Sequence, residues 1–106
     1  MSRTTTAVAC PTMIIRKDYR DLNDAEKQRF VNAIQELRRR PSTQGQRSLY
    51  DDFTFIHAQF LDQIHGQPMF APWHREMMRR FEAALHSIDS SVTLPYYDVR
   101  LSILVL

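Results

Sequence analysis

The chain has little of what usually staples or breaks a small protein: one cysteine, two glycines and one tryptophan in 106 residues. Cys10 stands alone, which excludes an internal disulfide and a Cys-rich zinc site. Charge of either sign is not in excess either. Fourteen basic residues face 12 acidic ones, for a net charge of +2, and so mild a balance implies neither nucleic acid nor a membrane surface as partner. No apolar run is long enough to span a bilayer; the closing Ile103-Leu104-Val105-Leu106 is far too short. The opening MSRTTTAVAC lacks the apolar stretch of a secretory signal, so the chain as written is expected in the cytoplasm. Internal repeats and low-complexity linkers are absent.

What is present is an ordinary globular composition, 43% apolar and 25% charged. The length allows one small domain. Such a domain buries a limited core and is marginally stable, so a metal held inside it could contribute to folding.

Hydrophobic periodicity points to a mainly α fold of about three helices, with irregular N- and C-terminal segments. Residues 1–13 read as a loose tail and 14–20 as extended chain leading into a helix. Asn23 is a candidate cap, with Glu26 three residues on at capping-box spacing. Phe30, Val31, Ile34 and Leu37 then recur at helical spacing, Arg38 to Arg40 suit the negative end of the dipole, and Pro41 stops the helix. Residues 41–47 form a surface loop. The second helix is expected from Ser48 to Asp62, with Leu49, Phe53, Ile56 and Phe60 as its apolar stripe. Gly66, Pro68 and Pro72 forbid continuation. Pro72 suits the first turn of a third helix that runs to Ile88, with His74, Met77, Met78, Phe81, Leu85 and Ile88 as its stripe. Residues 92–97 are extended. The second and third helices are expected to pack antiparallel.

Three of the four histidines fall into a pattern. His57 lies four residues after Phe53 and three before Phe60, so it sits on the buried stripe. His74 sits on the stripe of the next helix, and His65 lies in the loop between them. A histidine on an apolar stripe is commonly a satisfied core residue. Two of them with a third in the connecting loop also make a three-imidazole metal site with an open coordination position. Spacing does not decide between these readings, nor between copper and zinc. His86, twelve residues beyond His74, is expected to be a solvated surface residue.

The run His65-Gly66-Gln67-Pro68-Met69-Phe70-Ala71-Pro72-Trp73-His74-Arg75, followed by Arg80-Phe81-Glu82, resembles the first copper motif of tyrosinases, catechol oxidases and hemocyanins. The later Val92-Thr93-Leu94-Pro95-Tyr96 is similar to the same family. So are Arg16-Lys17, the segment Leu22 to Lys27 with Phe30, and Tyr50-Asp51-Asp52-Phe53 with His57. The resemblance covers residues 14–98 and implies half of a tyrosinase-like helical bundle. In that reading His57, His65 and His74 bind one copper ion per chain. Phe70 and Phe81 wall the site, Trp73 packs the start of the third helix, and Arg75 and Glu82 support the site or the helix packing.

The family, which includes the polyphenol oxidases, oxidises mono- and o-diphenols to quinones with O2 at a pair of coppers. Phenolic molecules and O2 are therefore the implied partners. Some members link a ligand histidine to a cysteine; Cys10 is too distant in sequence for that to be expected here. A second set of three histidines is missing, Tyr97 and Val99 stand where tryptophans are usual, and Arg100 to Leu106 do not fit the pattern. The expectation is a truncated, oxidoreductase-type copper domain with weak or no activity alone, its exposed apolar face inviting a homodimer. The alternative is a non-catalytic module whose three-histidine site is structural.

Overall fold

Asn23 accepts a hydrogen bond from the Glu26 backbone N–H (2.8 Å), and the Glu26 carboxylate accepts one from the Asn23 N–H (3.1 Å). These reciprocal bonds satisfy donors that an unfinished helix end would leave bare, and they start α1, Asp24–Arg39. Asn23→Ala is expected to cost about 1 kcal/mol, read as a lower urea midpoint. An unchanged midpoint would show that the box does not hold the helix.

The computed structural model describes residues 13–43 and 45–98. Of the expected tails 1–13 and 99–106, residues 1–12 and 99–106, with Cys10 and Val99, lie outside the described residues. The fold is mainly helical: after α1 come α2 (Leu49–Gln59), a single turn α3 (Leu61–Ile64) and α4 (Phe70–Ile88). Among the described residues no helix is long and apolar enough to cross a membrane.

The loop after α1 is held at its base. Pro41 pairs with Ser48, the Ser42 N–H donates to the Arg47 carbonyl (2.7 Å), and the Ser42 hydroxyl donates to Asp52 (2.5 Å). Gly45, at φ 76°, supplies the left-handed backbone the turn requires. Ser48 then caps α2 through a second box with Asp51.

The expected single helix from Ser48 to Asp62 is broken at Phe60 (φ −102°, ψ 18°). No Pro or Gly causes this. The Phe60 ring meets Trp73 at 6.3 Å, and the change of direction seats Ile64, 2% exposed, inside the protein. Gly66 (φ 71°) turns the chain after His65. The last helix begins two residues earlier than expected, placing Pro72 third in it, where its missing N–H removes no helical bond.

The core joins Ala33 and Leu37 of α1, Leu85 of α4, and Val92 and Leu94 of the returning segment. α1 packs on both α2 and α4. α2 and α4 meet through side chains: Phe53 on Phe81 (5.2 Å) and His57 on Trp73 (5.7 Å). Early residues of one helix face late residues of the other, so the pair is antiparallel. Three stripe residues are not covered as expected: Ile56, Phe60 and Met78 are 43%, 41% and 46% exposed. Among the described residues, no element lies over that face.

The two ends of the described chain meet. Tyr19 N–H donates to the Tyr96 carbonyl (2.8 Å), and Tyr96 N–H donates to the Lys17 carbonyl (3.0 Å). Arg20 grips Asp18 through two side-chain bonds, donates to the Asp98 carbonyl, and lies over the Tyr97 ring. The Arg20 guanidinium holds the Asp18 carboxyl well below the usual carboxylate range.

Candidate metal centre

Three elements deliver the three imidazoles. His57 comes from the last turns of α2, His65 from the end of the single turn α3, and His74 from the second turn of α4. Their ring centroids form a nearly equilateral triangle: 5.3 Å from His57 to His65, 5.2 Å from His57 to His74, and 5.2 Å from His65 to His74. One ligand nitrogen from each lies within 4.8 Å of the others. A metal at ordinary imidazole distance wants three nitrogens about 3.5 Å apart. One pair, His57 Nε2 and His74 Nε2, is already 3.2 Å apart. The donor set and its spacing therefore fit a copper- or zinc-sized cation, leaving a coordination position open.

Hydrogen bonds set which nitrogen each ring offers. A carbonyl only accepts, so His65 donates Nδ1–H to the Leu61 carbonyl (3.0 Å), and His74 donates Nδ1–H to the Phe70 carbonyl (2.7 Å). Both rings then present a bare Nε2 to the centre, the arrangement by which backbone carbonyls orient metal-ligating histidines. With His74 Nε2 bare, the 3.2 Å contact is a donation from His57 Nε2–H. A cation entering the triangle replaces that proton.

The surroundings are apolar and aromatic. Phe70 lies 4.2 Å from the His74 ring and 5.6 Å from His65. Behind His57, between α2 and α4, opens a cavity of about 300 Å³ lined by Tyr50, Phe53, Met77 and Phe81 among others. Phe81 therefore sits in this cavity against Phe53 and Tyr50, and Phe70 packs against the His65 and His74 edge of the triangle. Nearby, Glu76 is gripped by Arg79 and Arg80, whose hydrogen bonds pull its carboxyl down to about 2.

Glu82 and Arg75 lie apart from the imidazoles. Glu82 is 5% exposed. It accepts two hydrogen bonds from Arg16 (2.8 Å each) and one from the Leu94 N–H (2.9 Å). Chiefly through Arg16, its carboxyl is held below the ordinary value in spite of burial. Glu82 thus fastens both terminal segments to α4. Arg75 is exposed and, among the described residues, carries no hydrogen bond or ion pair. Sequence reasoning gave Arg16 no part in this anchor, because 66 residues separate it from Glu82 and no local spacing signals the pair.

His86 departs from expectation. It is partly buried, and its Nε2 is enclosed with no hydrogen-bond partner among the described residues. Its place twelve residues beyond His74 pointed to solvent. The returning segment, however, packs over the Glu82 face of α4, and His86 follows one turn later. It does not join the trio.

Residues 47–103 match the common central domain of tyrosinase. The chain is 38% identical over 95 residues to grixazone synthase of Streptomyces griseus, covering 79% of this chain and 29% of that protein. It is 40% identical over 94 residues to a tyrosinase of Streptomyces antibioticus, covering 81% and 32%. With tyrosinase P of Aspergillus terreus it shares 33% over 99 residues, covering 87% and 28%. The chain spans less than a third of the length of each of these relatives.

Proposed function

The chain belongs to the tyrosinase family, and we propose that it is a copper-binding domain serving oxidation of phenolic substrates by O2, with His57, His65 and His74 holding one ion. The observation that carries this reading is the imidazole triangle, three ligand nitrogens within 4.8 Å drawn from three separate elements. Bound copper would supply reversible one-electron chemistry at an open position. The chain's own residues do the rest. The Leu61 and Phe70 carbonyls keep Nε2 of His65 and His74 free of protons and aimed inward. Phe70 packs its ring against His74 on one side of the triangle.

The described residues contain one such site, whereas the family's oxidation uses a pair of coppers. A second copy of the chain is the partner we favour for supplying the other. Phe60, Leu61, Met69 and Phe70 crowd the sequence around the ligands and are 41 to 55% exposed, an apolar rim of the kind that seeks cover. The single site equally supports the second reading, a structural metal module without turnover.

One experiment separates these readings. Purified protein is titrated with copper while metal content, mass and melting temperature are followed, and o-diphenol is then added in air. One copper per chain, a melting temperature raised by metal and lowered again by chelator, a dimeric mass and quinone absorbance are expected. A copper-loaded monomer that forms no quinone leaves the structural module. A melting temperature indifferent to copper and chelator removes the metal site altogether.

A further inference from the structure

His57 is held differently from its two companions. His65 and His74 each donate Nδ1–H to a carbonyl one turn back. His57 has no such tether among the described residues; its hydrogen bond runs through Nε2 to His74, and a metal would replace that bond. Nothing polar would then fix the plane of the His57 ring. What lies on that ring is the indole of Trp73, with centroids 5.7 Å apart and planes only 26° from parallel, an offset stack. Trp73 is itself placed firmly. It precedes His74 on α4 and meets Phe60, the residue at which α2 ends, at 6.3 Å. The indole is thus a wedge between the end of α2 and the start of α4, with one face on a ligand.

Resting on the metal-site reading above, we propose that Trp73 is the positioning residue for His57, fixing by stacking the ring that the other two ligands fix by carbonyl hydrogen bonds. The chain's only tryptophan would then be more than filler for the start of a helix. Without its aromatic face, His57 can turn away from the triangle. Groups that orient ligands typically control metal affinity about 10–100-fold.

Zinc is the suitable probe, because it is redox-silent and is read by competition with a chelating dye. Trp73→Leu is expected to weaken zinc binding about 10–100-fold, and Trp73→Phe, which keeps an aromatic face, to recover most of the loss. In a His57→Ala background, Trp73→Leu should cost much less, no more than its edge-on contact with the His74 ring (5.1 Å) contributes, because the ligand on its face is already gone. A merely structural tryptophan would cost the same in both backgrounds, and that result overturns the proposal. So does a Trp73→Leu protein that binds zinc as tightly as the unmodified one. Should Trp73→Leu fail to fold, the unmodified zinc-loaded protein decides. Its His57 ring protons should show an upfield ring-current shift in NMR, and their absence from the upfield region overturns the assignment. Unmodified protein that binds no zinc removes the metal-site reading itself, which distinguishes that failure from a failure of Trp73 alone.

Discussion

Replacing His74 with alanine is expected to weaken copper binding by more than about a hundredfold, while far-ultraviolet circular dichroism stays unchanged. His74 is one corner of the trio and the one already in contact with His57. Its Nε2 lies 3.2 Å from His57 Nε2, its ring is 5.2 Å from both other rings, and its Nδ1–H is already committed to Phe70. Orienting groups behind a ligand command about 10–100-fold in affinity, so loss of a ligand itself should exceed that range. Alanine is the best helix former, so α4 should persist. Quinone formation by copper-loaded protein should fall to background with the same substitution. His86→Ala is the control: twelve residues further along an α-helix is about 18 Å, too far to reach the ion. A His74→Ala protein that keeps one tightly held copper would sink the assignment of the trio.

The second large effect concerns the fold rather than the ion. Arg16→Met should lower unfolding stability by about 2 kcal/mol and the melting temperature by about 10 °C. The substitution leaves the Glu82 carboxylate 5% exposed and bonded only to the Leu94 N–H. Removing one partner of a fully buried pair costs more, about 3–5 kcal/mol. Arg16 is 45% exposed in its side chain, so solvent already screens part of the attraction.

The pH dependence follows from the sign of the shift. In the intact protein Glu82 is held below its ordinary 4.5, first by the Arg16 hydrogen bonds. Its contribution is therefore complete above 4.5 and is lost as pH falls through the lowered folded value. Without Arg16 the largest lowering influence is gone and burial is opposed chiefly by the Leu94 N–H, so protonation costs the variant less than it costs the intact protein. The stability gap measured by urea unfolding should narrow steadily below pH 4.5. A gap independent of pH would mean that the cost is packing and not charge. Replacing Arg16 and Glu82 together by methionine should recover part of the loss, because no bare charge then remains inside.

The contrast between these two sites explains what could be read from the chain and what could not. Helix starts and stops were legible because their causes are local. Asn23 with Glu26 makes a capping box, Ser48 begins α2, and Pro41 ends α1 by its own chemistry. The histidine trio was legible because two ligands ride apolar stripes and the third lies in a Gly/Pro-bounded loop. Phe70, beside those ligands in sequence, packs its ring against His65 and His74.

The rest depends on contacts between distant residues. Phe60 ends a helix that its own neighbours would continue, and its ring meets Trp73 across the bend. By its place in the motif Glu82 was open to two roles, support of the site or of the helix packing. It turned out to anchor Arg16, 66 positions away, to Leu94. The spacing of His86 from His74 along one helix points to solvent, and spacing on one helix carries no information about which segment returns over it. The stack of Trp73 on His57 likewise needs two helices to be docked before it exists.

The clasp between residues 17–20 and 96–98 has a mechanical consequence. Its two segments run parallel, so tension arriving before residue 17 and leaving after residue 98 would load these hydrogen bonds in shear, all at once. The four helices hang between the two grips as a slack loop. A pull on the flanks would therefore be borne first by the clasp and by the Arg16–Glu82 pair that ties it to α4, and would reach the histidines only after these give way.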